Sequence, residues 1–161
     1  MKRDIRVWPD AVLSQKAEPA SVDDTTRALA QDMLDTMYAA EGRGLAAPQL
    51  GVLVRVFVMD ATWKIGAGTP EIFINPEILW RSEERVPSSE GCLSIPGVRA
   101  EVERAKEIIL RWVMTDGSIS AQKLVGFRAI CAQHEIDHLD GIVTLDRLSP
   151  EDRAKAEAGR M

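Results

Sequence analysis

The chain has 161 residues, 45% hydrophobic and 28% charged, enough for one domain with a real core and too few for two of ordinary size. Twenty Lys and Arg against 25 Asp and Glu leave a formal charge of −5, which argues against sequence-independent nucleic-acid binding as the main activity. No apolar run approaches the roughly 20 residues that span a membrane, the opening ten residues are charged and hold no signal-peptide core, and a cytoplasmic location is the expectation.

Residues 5–13 contain Val7-Trp8-Pro9-Asp10, where Pro9 interrupts regular structure and Asp10 suits the cap of a short helical turn. This stretch reads as an arm over the body. Residues 21–40 place Leu29, Met33, Leu34, Met37 and Tyr38 at a helical period behind the capping candidates Ser21, Asp23 and Asp24, which predicts a core-packing helix. The run Gly42-Arg43-Gly44-Leu45-Ala46-Ala47-Pro48-Gln49 follows. Small residues at this density let a backbone approach another backbone or a ligand closely, and a plain turn is the competing reading. The run lacks the Gly and Lys spacing of a phosphate loop, and Pro48 does not fit a dinucleotide-binding turn that opens a helix.

Residues 52–59 and 71–80 read as strands, with residues 63–70 as the loop between them. A polar stretch, 81–89, leads into Glu90-Gly91-Cys92-Leu93-Ser94-Ile95-Pro96-Gly97, a segment bounded by turn formers. Residues 98–104 and 105–114 look like strands, and Asp116-Gly117 is a hairpin turn before a strand over 119–125. A helix is expected over 124–139, starting near Gly126, and 142–148 is short and apolar. Ser149-Pro150-Glu151-Asp152 has the cap, first-turn proline and acidic first turn of a last helix in a short tail from about 149. The chain has no internal repeat, low-complexity tract or interdomain linker, so residues 1–161 are expected to form a single domain.

The expected helix carries Gln133-His134-Glu135-Ile136-Asp137-His138, which uses both histidines of the protein. Positions i and i+4 of an α-helix differ by about 40° of rotation and about 6 Å of rise, so His134 and His138 can grip one ion. Glu135 then sits beside that ion without ligating it, placed to take a proton from water and pass it to a leaving nitrogen. A solvated amphipathic helix that happens to carry two histidines is the bland alternative.

A catalytic ion with two His ligands needs a third protein ligand. Cys131 lies on nearly the same helix face, yet the ion's level is roughly 7 to 8 Å further along the axis at 1.5 Å per residue. A cysteine side chain does not reach that far, and helical Cβ atoms tilt the other way. Cys131 is therefore pocket wall or core, and the ligand must come from elsewhere. Cys92 and the neighbouring Glu90 are the leading candidates by chemistry, with a buried structural cysteine as the other reading of Cys92. Spacing does not choose among them.

Together, Gly42 to Gln49 (GRGLAAPQ), Glu90 to Ser94 (EGCLS) and Gln133 to Gly141 (QHEIDHLDG) resemble the three signature motifs of the peptide deformylases, in order and in approximate separation. The resemblance runs from about Ile5 through Leu148, with VWPDAVL, INPEI and LDRLS also in place. It implies an α+β fold of antiparallel strands around a central metal-binding helix. It further implies Cys92, His134 and His138 as ligands, with Glu135 as proton shuttle and water in the fourth position. The implied ion is Fe(II), with Zn(II), Ni(II) or Co(II) able to occupy the same site.

The implied reaction is hydrolysis of the N-formyl group from the initiator methionine of nascent polypeptides, releasing formate. Gln49 and the Leu93 N–H match the family's donors to the developing oxyanion, and Gly44 matches a backbone contact to substrate. Gly91, Glu90 and Arg99 are expected to support the site, with Arg99 pairing with Glu90 to stiffen the metal loop. Phe127, Ile130 and Cys131 fall where the family lines its methionine pocket. Arg43, Phe127 and Thr144 depart from common family residues, and Arg43 leaves the contacts beyond methionine open. About a dozen residues follow Ser149, a short counterpart of the extension that docks on the ribosome in some relatives. Two other readings compete. A general HExxH peptidase would use a third His or Glu downstream, and this chain has no third His. A silent relative that binds nascent chains or ribosomes would have lost a ligand, the Glu or an oxyanion donor, and each motif here retains its own.

Overall fold

The computed structural model describes residues 1–160. Seven strands follow one another along the chain: β1 (Gly44–Ala46), β2 (Val56–Met59), β3 (Glu71–Arg81), β4 (Arg85–Cys92), β5 (Ile95–Ala105), β6 (Glu107–Val113) and β7 (Ile119–Val125). The helices are α1 (Asp24–Ala39), α2 (Gly126–Leu139) and α3 (Pro150–Ala158). All pairings are antiparallel: β1, β2, β3, β6 and β7 form one sheet in that order, and β4 with β5 forms a separate hairpin. The fold is α+β, as expected, and α2 packs against both the sheet and β5. Among the described residues, no helix is long and apolar enough to cross a membrane.

The interior strand β2 shows how sequence pattern sets the layers. Val56 and Val58 join Leu29, Met33 and Met37 of α1, while Phe57 and Met59 join Ala129, Ala132 and Ile136 of α2. Both faces of β2 are covered, so it reads as an unbroken apolar run rather than an alternating one. Phe57 stacks on Phe73 at 4.4 Å between centroids, and Trp112 tilts against Phe73 at 4.7 Å. Aromatic contacts of this kind add to the area they bury.

Local signals place most boundaries. Asp23 Oδ1 accepts from Thr26 N–H at the start of α1, Asp10 Oδ1 from Val12 N–H, and Ser149 Oγ from Asp152 N–H at α3. Two expectations change. Residues 52–55 lie outside β2, because Val54 bridges Glu18 in parallel and the Arg55 N–H is taken by the Glu18 carbonyl. Residues 85–89, expected as a polar lead-in, are part of β4. Arg85, Pro87 and Ser89 of that strand face solvent, so its hydropathy stays low although its ladder to β5 is complete from Arg85 to Gly91. The apolar stretch after α2 holds a 3-10 turn, Thr144–Arg147.

The N-terminal arm ties down two loops that meet at α2. Arg6 N–H donates to the Gln49 carbonyl at 2.7 Å, and Trp8 N–H donates to the Ser94 carbonyl at 2.8 Å. Gly141, just past α2, has φ +76°, and a Cβ there would lie 2.9 Å from the Ser14 backbone. Only glycine suits both that dihedral and that approach.

A second tie holds the loop after β2. Buried Asp60 accepts from the N–H groups of Thr62, Trp63 and Thr69 on Oδ1 and from Tyr38 Oη on Oδ2. Burial pushes its pKa up, but these donors outweigh it and hold the carboxyl below its ordinary value. A depressed carboxylate contributes stability that is present above its unfolded pKa and lost as pH falls through the folded one. Asp60→Asn is therefore expected to cost about 1 to 3 kcal/mol at neutral pH. In urea titrations the gap from the parent should narrow below the ordinary Asp value of 3.8.

Candidate metal centre and active site

Three elements converge at the middle of α2. The helix brings His134 and His138, the β4–β5 turn brings Cys92, and the loop after β1 brings Gln49. Ligand atoms of Cys92, His134 and His138 all lie within 4.8 Å of one another. Cys92 Sγ is 3.3 Å from His138 Nε2. His134 Nδ1 lies 2.9 Å from Glu90 Oε1, an orientation that turns its Nε2 toward the cluster. One cysteine sulfur from the β4–β5 turn and two imidazoles from α2 make a donor set that could hold a divalent ion in an open site.

One of two orphaned atoms, the Glu135 oxygen, sharpens the fit. Glu135 Oε1 and His138 Nδ1 are buried and have no hydrogen-bond partner among the described residues. A buried carboxylate oxygen without a donor is costly unless an ion or a reacting proton is its proper neighbour. Burial pushes Glu135 up to about 7, partly offset by His134, and a dication nearby acts in the opposite direction. Burial and the adjacent His134 hold His138 well below its usual value, so it stays neutral as a ligand must. Burial would also lower His134, but Glu135, Cys92 and Glu90 together push it up. Ligation then requires His134 to lose a proton.

The cavity beside the cluster measures about 590 Å³, of a size that suits a short peptide or small ligand. Arg43, Gly44, Gln49, Glu90, Gly91, Leu93, Arg99, Phe127, Ile130 and Cys131 all line it, as do Cys92, His134 and Glu135. His138 lies behind them, 1% exposed. Cys131 stands outside the ligand cluster, with its Sγ 3.9 Å from Glu135 Oε2. Burial pushes its thiol well up, so it is neutral wall, as its reach along the helix required.

Gln49 is 1% exposed and its amide is held at both ends. Its Oε1 accepts from Ala46 N–H at 2.9 Å, and its Nε2 donates to Ser94 Oγ at 3.0 Å while lying 3.7 Å from Cys92 Sγ. The Leu93 N–H makes no backbone hydrogen bond among the described residues. Gly44 is what lets the loop come so close: a Cβ there would sit 2.5 Å from Glu135 Oε2 and 2.6 Å from Cys131 Sγ. Gly44→Ala is expected to displace the Glu135 carboxylate and lower turnover about 100-fold with the fold retained, which steady-state kinetics and circular dichroism together would check.

One expected contact does not form. Arg99 donates to Ser89, through Nη2 to the carbonyl and Nε to Oγ, and does not reach Glu90. Glu90 of β4 sits opposite Ala100 of β5, one position from Arg99, and the side chain of Arg99 falls on the exposed face. Arg104, 3% exposed, takes the role instead. It donates to both Glu90 oxygens at 2.7 and 2.9 Å and to Asp137 Oδ2 at 2.7 Å. Asp137 is gripped in turn by Arg147. Burial opposes ionisation of Glu90, but Arg104 and His134 pull its pKa down to about 2. Sequence reasoning missed Arg104, Ser94 and the Asp137–Arg147 pair. The readable signal for Arg104 was its position after Val98, Ala100 and Val102 on the inward face of β5.

A family model described as polypeptide deformylase matches residues 2–154. The chain belongs to the polypeptide deformylase family. It is 52% identical to a peptide deformylase of Alkalilimnicola ehrlichii over 91% of this chain and 82% of that one. It is 46% identical to a peptide deformylase of Phenylobacterium zucineum over 96% and 92% of the two chains. The crystal structure of a peptide deformylase from Synechococcus elongatus in complex with actinonin superposes with a TM-score of 0.92 at 36% identity, covering 97% of this chain and 86% of that one. The deformylase fold, the hydrolytic activity of the family and its dependence on a metal thus coincide with a donor set built from the motifs read in the sequence.

Proposed function

We propose that Cys92, His134 and His138 hold one divalent ion, Fe(II) in the cell, and that Glu135, Gln49 and Leu93 drive removal of the N-formyl group from formylmethionyl nascent chains. The observation that carries this reading is the convergence of three unlike ligand atoms within 4.8 Å beside a buried, unpartnered carboxylate oxygen. The ion, when bound, supplies Lewis acidity that lowers the pKa of water and polarises the formyl oxygen.

In this reading Glu135 accepts the proton of the attacking water through Oε1 and delivers it to the departing amine nitrogen, so formate and a free amino terminus leave. Gln49 Nε2 and the Leu93 N–H donate to the oxyanion as it develops, and one such donor is commonly worth about 3 to 4 kcal/mol. Both are fixed before substrate arrives, through Ala46, Ser94 and the arm residues Arg6 and Trp8, so reorganisation costs little. Phe127, Ile130 and Cys131 offer an apolar wall suited to a methionine thioether. Gly44 and Gly91 keep the backbone bare where the peptide passes.

Fe(II) is carried over from the family resemblance, since one sulfur and two imidazoles also suit Zn(II), Ni(II) or Co(II), and a cytoplasmic location rests on the nascent-chain substrate. A single catalytic domain over 1–161 is supported by α2 touching both sheets. A transient ribosome contact would fall to α3, whose residues are all at least partly exposed.

The test is product analysis under anaerobic Fe(II) loading. Formyl-Met-Ala-Ser should yield one formate and one Met-Ala-Ser, and acetyl-Met-Ala-Ser and internal peptide bonds should stay intact. Internal cleavage would favour a general peptidase, and no formate from metal-loaded protein would sink the deformylase reading.

A further inference from the structure

We propose that Arg43, laid across Phe127 at the rim of the cavity, is a carboxylate subsite that favours formylmethionyl chains with Asp or Glu in the residues directly after methionine. The proposal rests on the deformylase reading and adds a preference to it. The guanidinium carbon of Arg43 lies 3.9 Å from the centroid of the Phe127 ring, a cation–π distance that holds the head group at the rim. Its backbone is anchored as well, because the Asp60 N–H donates to the Arg43 carbonyl at 3.0 Å.

Among the described residues, the Arg43 side chain takes part in no hydrogen bond and no ion pair, and it is exposed. A planar, anchored, unpaired guanidinium is suited to bidentate capture of a carboxylate. Phe127 itself lines the cavity beside Ile130 and Cys131, so a side chain reaching Arg43 belongs to a residue near the methionine.

The surrounding charge points the same way. Lys64 and Arg99 line the same cavity, and neither is ion-paired among the described residues. Lys64 is carried there by the Asp60-tied loop, whose Trp63 Nε1 donates to the Gly42 carbonyl at 2.9 Å. Glu41 is the one exposed carboxylate of the lining, while Glu90 and Glu135 are buried inside. Three cations against one anion at the rim contrast with the formal charge of −5 for the whole chain, and such a local field draws acidic segments toward the site.

The experiment compares kcat/KM for C-terminally amidated formyl-Met peptides carrying Glu, Gln or Lys at the first or second position after methionine. Amidation separates a side-chain carboxylate from the terminal one. The parent protein should prefer Glu over Lys by about tenfold at 20 mM salt, and this ratio should shrink several-fold at 0.5 M, where the screening length falls to a few ångströms. Arg43→Gln should bring the ratio down at least threefold, and Arg43→Lys should retain most of the attraction but lose part of the preference for Glu over Gln, since an ammonium lacks the fork. Equal efficiency on Glu and Lys peptides, or a ratio unchanged by Arg43→Gln, overturns the proposal and leaves the deformylase reading intact. No formate from the Gln peptide overturns both.

Discussion

Glu135→Gln should lower formate release about a thousandfold while the protein still binds one divalent ion. The size follows from loss of general acid–base catalysis, commonly worth two to four powers of ten. The amide keeps the shape of the carboxylate but cannot take the proton that Oε1 is positioned to receive. Ion retention is expected because the ligand cluster is Cys92, His134 and His138, and Glu135 is outside it. Metal analysis of the variant beside steady-state formate assays separates the two effects. Loss of the ion in parallel with activity would make Glu135 a ligand and contradict its role as a base.

Arg104→Met should destabilise the fold by about 3 to 5 kcal/mol, the usual result of stranding a buried charge. Here Glu90 would keep only His134 and Asp137 only Arg147, since Arg104 bridges the two carboxylates with side-chain exposures of 4%, 6% and 11% for Arg104, Glu90 and Asp137. Arg99→Met, by contrast, should cost under about 1 kcal/mol, since Arg99 only meets Ser89 at the surface. The same Arg104 substitution should weaken metal affinity roughly 10- to 100-fold, because Glu90 would no longer hold His134 Nδ1 in place. Adding Glu90→Gln should recover part of the stability lost with Arg104, and urea titrations of the four combinations would measure that coupling. Equal costs for Arg104→Met and Arg99→Met would show that the buried bridge is not what braces the metal loop.

These two arginines also show where sequence reasoning stops. The HExxH helix, the caps of α1 and α3 and the apolar strands announce themselves through period and propensity, and the three motifs are local enough to be read directly. The partner of Glu90 is not local. Arg99 and Arg104 differ by an odd number of positions, so they fall on opposite faces of β5, and only the register of the β4–β5 hairpin decides which one meets the carboxylate. The alternation Val98, Ala100, Val102, Arg104 held the answer, since an arginine on a buried face must find anions. Residues 85–89 were missed for a related reason: a strand whose outward face is polar and whose inward face ends in Glu90 has too little hydropathy to be seen alone. The bracing of Gln49 and Ser94 by the backbone of Arg6 and Trp8 leaves no trace in side-chain type at all.

The chemistry of α2 was legible down to one exclusion. Cys131 was ruled out as a ligand by helix geometry, and its sulfur does lie beside Glu135 instead of in the cluster. The choice between Cys92 and Glu90 was not available from spacing. In the fold Glu90 spends both oxygens on Arg104 and one of them also on His134, which favours the Cys92 sulfur as the third donor of the proposed centre.

The most direct check of the proposed centre is formate release followed while Fe(II) is titrated anaerobically into metal-free protein. Turnover should rise in proportion to added ion and break at one equivalent per chain, with Cys92→Ala giving no break and no turnover. Formate release from metal-free protein, or a Cys92→Ala variant that titrates like its parent, would contradict a centre built on Cys92, His134 and His138.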